Sequence, residues 1–335
     1  MSNLNAVTSL RTEIMLKTAM GAAVAEALND PSVVEVMVNP DGAVWTDRHG
    51  DGRVKTNAVM TAEEAERVIR VVASHIGQEV TRNYPVVSAE LPGGGERFEG
   101  VIPPVTTAPC FAIRKSAARV FTLDDYVTAG IMSPLRRGVL KEAVVERNNI
   151  LIVGGTGSGK TTLANAILHE IAKTGDRVVI LEDTRELQCA ADDQVALRTQ
   201  AGSVTMANLV KSTLRLRPDR IIVGEVRGPE ALDMLKAWNT GHPGGVATIH
   251  ANSAKDGLFR LEQLIGEVSA NIPRAFIASA IDLLVFISGR GDERRVSSIL
   301  NVAGLNGDDN YNATEFPDPN LKLVSLTSPT ITHGD

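Results

Sequence analysis

Thirteen residues constrain this chain more than any others: Ile150-Leu151-Ile152-Val153-Gly154-Gly155-Thr156-Gly157-Ser158-Gly159-Lys160-Thr161-Thr162. A short apolar run ends in glycines, and a periodic apolar run follows from Leu163 to Ile171. That order predicts a buried strand, a tight loop and the N-terminus of a helix. Gly154, four intervening residues and Gly159-Lys160-Thr161 fit the spacing of a Walker A phosphate loop. Glycines let successive backbone N–H groups converge on phosphate oxygens, and the helix start adds unsatisfied donors there. Lys160 can reach β- and γ-phosphates, and the Thr161 hydroxyl can ligate Mg²⁺. The whole stretch Gly154, Gly155, Thr156, Gly157, Ser158, Gly159, Lys160, Thr161 and Thr162 is therefore the candidate nucleotide-binding segment.

Short apolar strands alternate with helical patterns on both sides of that loop. Strands are predicted over 150–153, 177–181, 220–223, 246–249, 283–287 and 295–302, and helices over 160–172, 206–216, 229–238, 255–265 and 273–280. This alternation implies a mostly parallel sheet covered on both faces, an α/β P-loop domain over residues 131–304. Ahead of it the pattern differs. An amphipathic helix over 8–29 and a second capped by Thr61, with Glu64 three residues on, accompany strands over 33–38, 43–45, 86–91, 97–102 and 110–115. Residues 1–130 thus form a smaller α+β domain with its linker. Residues 305–335 carry five acids and one lysine among Asn, Pro and Thr, and are expected to be a mobile tail.

Composition narrows the function classes. The net charge of −6 gives no broadly basic surface, so direct nucleic-acid binding is not expected. Two cysteines, Cys110 and Cys189, make neither a zinc site nor a disulfide framework. No stretch approaches the ~18 uninterrupted apolar residues of a membrane span, so membrane contact would be peripheral or through partners.

A phosphate loop needs carboxylates at neighbouring strand ends, where ligands bind in parallel sheets. Glu225 follows the apolar run 220–223 and is the candidate for organising Mg²⁺ through water. The run 178–181 leads into Glu182-Asp183-Thr184-Arg185-Glu186, and one of these acids can activate the attacking water. Spacing does not choose between Glu182 and Glu186. His250 ends the run 246–249 and either donates to a γ-phosphate or caps the next helix. Arg97, Arg114, Arg217 and Arg227 are all candidates to meet developing negative charge, with no ranking among them.

The ordered boxes are similar to those of a known family, the secretion ATPases of type IV secretion and conjugation machines, relatives of type II secretion and pilus-motor ATPases. Gly154 to Thr162, the acidic box from Ile180 to Leu187, the Walker B region from Leu216 to Gly228, and Thr240-Gly241-His242 with Ala247-Thr248-Ile249-His250 carry the resemblance. It implies a RecA-like motor behind an N-terminal domain, nucleotide held between the two, and a homo-hexameric ring. The ring would be cytoplasmic, peripheral to the inner membrane, and would dock on membrane and cytoplasmic components of a secretion channel. ATP and Mg²⁺ are the implied ligands. The resemblance assigns Glu186 to water activation, His250 to sensing the γ-phosphate, and Arg114 and Arg227 to closing the cleft. A DNA-translocating motor and a nucleotide-gated scaffold with little turnover are the competing readings.

Overall fold

Alternation of apolar and polar residues builds two separate sheets. The computed structural model describes residues 2–48, 51–115, 120–200, 202–271 and 273–317, with side chains from Glu13 onward. The first sheet has six strands, all antiparallel, in the order β3-β2-β1-β6-β5-β4. Its elements are α1 (Ser2–Asn29), β1 (Val33–Val38), β2 (Ala43–Arg48), β3 (Gly52–Val59), α2 (Ala62–His75), β4 (Val86–Glu90), β5 (Arg97–Val101) and β6 (Cys110–Arg114). Gly21, at φ +70°, breaks the helical path of α1. Thr61 and Glu64 close a reciprocal capping box at the start of α2, a device contributing about 1 kcal/mol. Leu16, Met20 and Val24 of α1 and Val68, Ile69 and Val72 of α2 cover Val36, Phe98, Phe111 and Ile113 of the sheet. Gly100 makes that packing fit, because a Cβ there would lie 2.7 Å from the Phe98 ring and 2.9 Å from Ile69.

The second body follows the order α3 (Leu123–Thr128), α4 (Pro134–Val145), β7 (Ile150–Val153), α5 (Lys160–Ile171), β8 (Val178–Glu182), β9 (Gln194–Arg198), α6 (Met206–Thr213), β10 (Arg220–Val223), α7 (Glu230–Asn239), β11 (Val246–Ile249), α8 (Ala254–Gly266), α9 (Arg274–Ala280), β12 (Leu283–Ser288), β13 (Arg295–Leu305) and β14 (Tyr311–Glu315). Its sheet runs β14-β13-β12-β7-β11-β10-β8-β9. The six strands from β12 to β9 are parallel, and β13 and β14 add antiparallel strands outside β12. Period-two alternation divides each central strand between two cores. Leu151, Val153, Val179, Leu181, Ile221 and Val223 face α6 to α9, while Ile150, Ile152, Val178, Ile180 and Ile222 face α3, α4 and α5. Burial on both faces explains why these strands read as continuous apolar runs.

Three differences from expectation have physical reasons. β3 and β9 lie at sheet edges and alternate only partly buried residues with exposed ones, so neither carries a strong apolar signal. Leu123 and Tyr126 of α3 pack into the core under α5, so by packing the division between the bodies falls ahead of Leu123 rather than at residue 130. Residues 305–335 are not all a loose tail. β13 runs on to Leu305, β14 pairs back onto it, and the Phe316 N–H donates to Ile299 O at 2.9 Å. Backbone pairing holds Tyr-Asn-Ala-Thr-Glu in the sheet with almost no apolar signature. The remainder of that expectation, 318–335, lies outside the described residues.

Candidate active site

All the parallel strands deliver their C-terminal ends to one side of the sheet, which fixes where the candidate residues meet. After β7 the chain squeezes between β11 and β12. A Cβ on Gly154 would lie 2.4 Å from Ile287 O, so no larger residue fits there. Gly157 (φ +75°) and Gly159 (φ +99°) then adopt left-handed backbone to turn the chain into α5. Gly159 occupies the N-cap position with no side chain to satisfy the first-turn N–H groups, which leaves them for an anion. Lys160 donates from Nζ to Gly155 O at 3.0 Å and sits 3.2 Å from His250 Nε2. Burial lowers its pKa to about 8 against the attraction of Glu225, and the charges of Arg114 and Arg227 add to the lowering.

The structure separates two acids that spacing leaves equivalent. Glu182 ends β8 pointing inward and is only 3% exposed. Its Oε1 accepts the backbone N–H of Glu186 at 2.9 Å and of Leu187 at 2.7 Å. It therefore shapes the acidic loop from beneath. Glu186 instead faces the phosphate loop: Oε2 accepts from Thr161 Oγ1 at 3.3 Å, and Oε1 is 3.5 Å from Arg97 Nη1. Asn165, buried on α5, holds the same loop, donating to Glu186 O at 3.2 Å and accepting from the Gln188 N–H at 2.8 Å. Sequence reasoning passed over Asn165; its signal is a lone amide among Leu163, Ala164, Ala166 and Ile167, all buried.

Glu225 follows β10, its preceding Gly224 anchored through the Gly224 N–H to Leu181 O at 2.8 Å. One of its oxygens lies 2.6 Å from His250 Nε2 and the other pairs with Arg227, which also lies 3.7 Å from Asp183. Burial and the neighbouring Lys160 lower the His250 pKa, against the pull of Glu225. His250 does not cap the next helix; Ser253 does, accepting the Asp256 N–H at 3.2 Å.

The first sheet reaches the same place. Arg97 and Arg114 are register partners on β5 and β6, and Glu90 on β4 accepts the Arg185 N–H at 2.9 Å and pairs with Arg198 of β9. Thr161, Glu182, Asp183, Glu186, Glu225, Arg97 and Arg227 thus line one cleft between the bodies. Arg217 and His242 are not part of it. Leu216 O accepts from Arg177 Nε at 2.9 Å, and His242 Nδ1 lies 2.9 Å from Pro218 O, both at the opposite ends of the strands.

Among the described residues no group of three or more His, Cys, Asp or Glu side chains could cage a metal. One hydroxyl, nearby carboxylates and an anion cradle suit Mg²⁺, which keeps several waters and shares its coordination with phosphates.

Glu182 gives a pH test. Burial pushes its carboxyl up to about 7 from the ordinary 4.5, opposed by the two N–H bonds. A raised folded pKa stabilises the protein below the ordinary value, and that stability is lost as pH rises through about 7. Glu182→Gln keeps an acceptor oxygen and removes the buried charge. Its melting temperature relative to wild type is expected to rise by a few degrees between about pH 5 and 8.5, on the order of 2 kcal/mol. Parallel melting curves across that range would show the burial reading to be wrong.

Similarity to known proteins gives the family. Residues 18–288 match the family described as Type II/IV secretion system protein. The conjugal transfer protein TrbB of Rhizobium radiobacter is 51% identical, covering 86% of this chain and 90% of its own. A probable conjugal transfer protein TrbB of Sinorhizobium fredii is 52% identical over 86% of this chain and 88% of its own. Among solved structures, the Legionella pneumophila ATPase DotB shares the fold with a TM-score of 0.54 at 20% identity, covering 87% of this chain and 77% of that one. The chain belongs to the family of type II and type IV secretion ATPases.

Proposed function

We propose that this chain is the Mg²⁺-dependent ATPase of a conjugative type IV secretion system, a homo-hexameric ring motor whose hydrolysis of ATP powers pilus assembly or substrate transfer. The observation that carries this reading is the meeting of Lys160, Thr161, Glu186 and Glu225 in one cleft. Lys160 exchanges its bond to Gly155 O for β- and γ-phosphate oxygens. Thr161 and Glu225 would hold Mg²⁺, which when bound would supply charge neutralisation at the phosphates. Glu186 orients a water and accepts its proton as the water oxygen bonds to the γ-phosphorus and the bridging bond to ADP breaks. His250 donates to the γ-phosphate, and Arg227 and Arg114 meet the charge from opposite walls.

Arg114 and Arg97 come from the first sheet, where Glu35 also lies beside them, while Glu186, the acid that Arg97 reaches across the cleft, comes from the second. Loss of the γ-phosphate therefore removes a group that both bodies grip, and the bodies can swing apart. Among the described residues no helix is long and apolar enough to cross a membrane. A ring on the cytoplasmic face, peripheral to the inner membrane and docked on channel components, is compatible with that; direct binding to nucleic acid is not part of the reading.

Light scattering on the purified chain with Mg²⁺ and a non-hydrolysable ATP analogue tests the ring. A mass six times that of one chain is expected. A monomeric mass at micromolar concentration would remove the ring from the proposal and leave the ATPase site standing.

A further inference from the structure

β7 has two neighbours, β11 and β12. The acids stand beyond β11, on β10 and β8. On the other side is β12, whose following turn folds back over the phosphate loop. Arg290 donates to Thr156 O from Nη2 at 2.8 Å and from Nε at 3.2 Å. Arg294 lies against Gly159, where a Cβ would come within 2.9 Å of its Nε; a Cβ on Gly157 would be 3.4 Å from Arg290 Nε. Gly159 therefore leaves room for the Arg294 guanidinium, and Arg290 lies at ordinary contact distance from Gly157 on the same flank. The turn itself is tight, since a Cβ on Gly289 (φ +75°) would lie 2.2 Å from Glu293 O.

Neither arginine is ion-paired among the described residues, and Arg294 Nε is buried with no hydrogen-bond partner among them. The Tyr126 hydroxyl, close enough for Arg294 to oppose the upward push of burial on its pKa, is likewise buried and unpartnered among them. A buried donor without an acceptor is costly, and a guanidinium pair beside a helix N-terminus matches a phosphate oxygen. The γ-phosphate is assigned to the β11 side by Glu186 and Glu225. The rest of the nucleotide then leaves across the β12 side, under this turn.

We propose that Arg290 and Arg294 grip the α-phosphate of the bound nucleotide and fix its nucleoside end. This rests on the phosphate-loop reading above and adds a binding element outside the four sequence boxes. Arg290 gives up Thr156 O when nucleotide enters, and Arg294 gains the acceptor it lacks.

The test is titration of the full chain with Mg-ATP and with Mg-ADP, for wild type, Arg290→Ala/Arg294→Ala and Arg290→Lys/Arg294→Lys. Both nucleotides carry the α-phosphate, so the alanine pair should weaken both by the same factor, about tenfold or more. KM for ATP should rise by a similar factor while kcat falls less than about twofold. The lysine pair keeps the charge and should lose less than about threefold. A guanidinium that only stiffens the loop would lower the melting temperature and leave both affinities unchanged, which overturns the proposal. A loss confined to ATP overturns it too, by moving the contact to the γ-phosphate. A wild-type chain that bound neither nucleotide would overturn the phosphate-loop reading first, and the grip with it.

Discussion

Lys160→Ala is expected to weaken ATP binding by about a hundredfold or more and to abolish turnover. The Nζ group is seated at the loop's own strand-to-helix turn, between Gly155 O and the His250 ring. Its bonds to phosphate would be charge-assisted and largely desolvated, each contributing about 1.5–3 kcal/mol. The same substitution should do little harm to the nucleotide-free fold. Burial already lowers the Lys160 pKa to about 8, so the charged ammonium is held there at a cost. Titration calorimetry together with a melting curve separates the two effects. Hydrolysis at the wild-type rate by Lys160→Ala would remove the proposed site.

Glu186→Gln should leave ATP affinity within a few-fold of wild type and cut kcat by about a hundredfold or more. The amide oxygen of glutamine can still accept from Thr161 Oγ1, whose present partner is Glu186 Oε2 at 3.3 Å. What it cannot do is take a proton from water. Glu225→Gln should behave alike for a different reason: it keeps the shape beside His250 and weakens the hold on the metal. Phosphate release by single turnover, with binding measured in parallel, checks both. Equal and near-background release from wild type and Glu186→Gln would favour a nucleotide-gated scaffold over a motor.

The motor half of the fold is legible because burial on both faces leaves an apolar run for every central strand, and the phosphate loop is pinned by Gly154, where a Cβ would strike Ile287 O, and by the left-handed Gly157 and Gly159. What the sequence hides is orientation. Glu182 and Glu186 are both acids after one strand, and only the turn of the chain, with Glu182 drawn under two N–H groups, distinguishes them. His250 reads equally as a cap until Ser253 is seen to do that job. Arg97 and Arg217 carry the same formal charge, yet the first sheet brings one to the cleft while the other precedes β10 at the far end of the second. β14 is invisible for the opposite reason, since its mostly polar residues are held by backbone pairing, helped by Tyr311 against Phe259 and Glu315 beside Arg136, contacts that leave no apolar run. Asn165 and Glu90 act through backbone groups of the acidic loop, contacts that leave no spacing rule behind.

Everything functional depends on a nucleoside triphosphate being gripped at Gly154 to Thr161. The most direct measurement is calorimetric titration of ATP into the purified, folded wild-type chain with and without Mg²⁺. The account predicts saturable binding, tighter with the metal present. A folded chain that takes up no nucleoside triphosphate under either condition contradicts it.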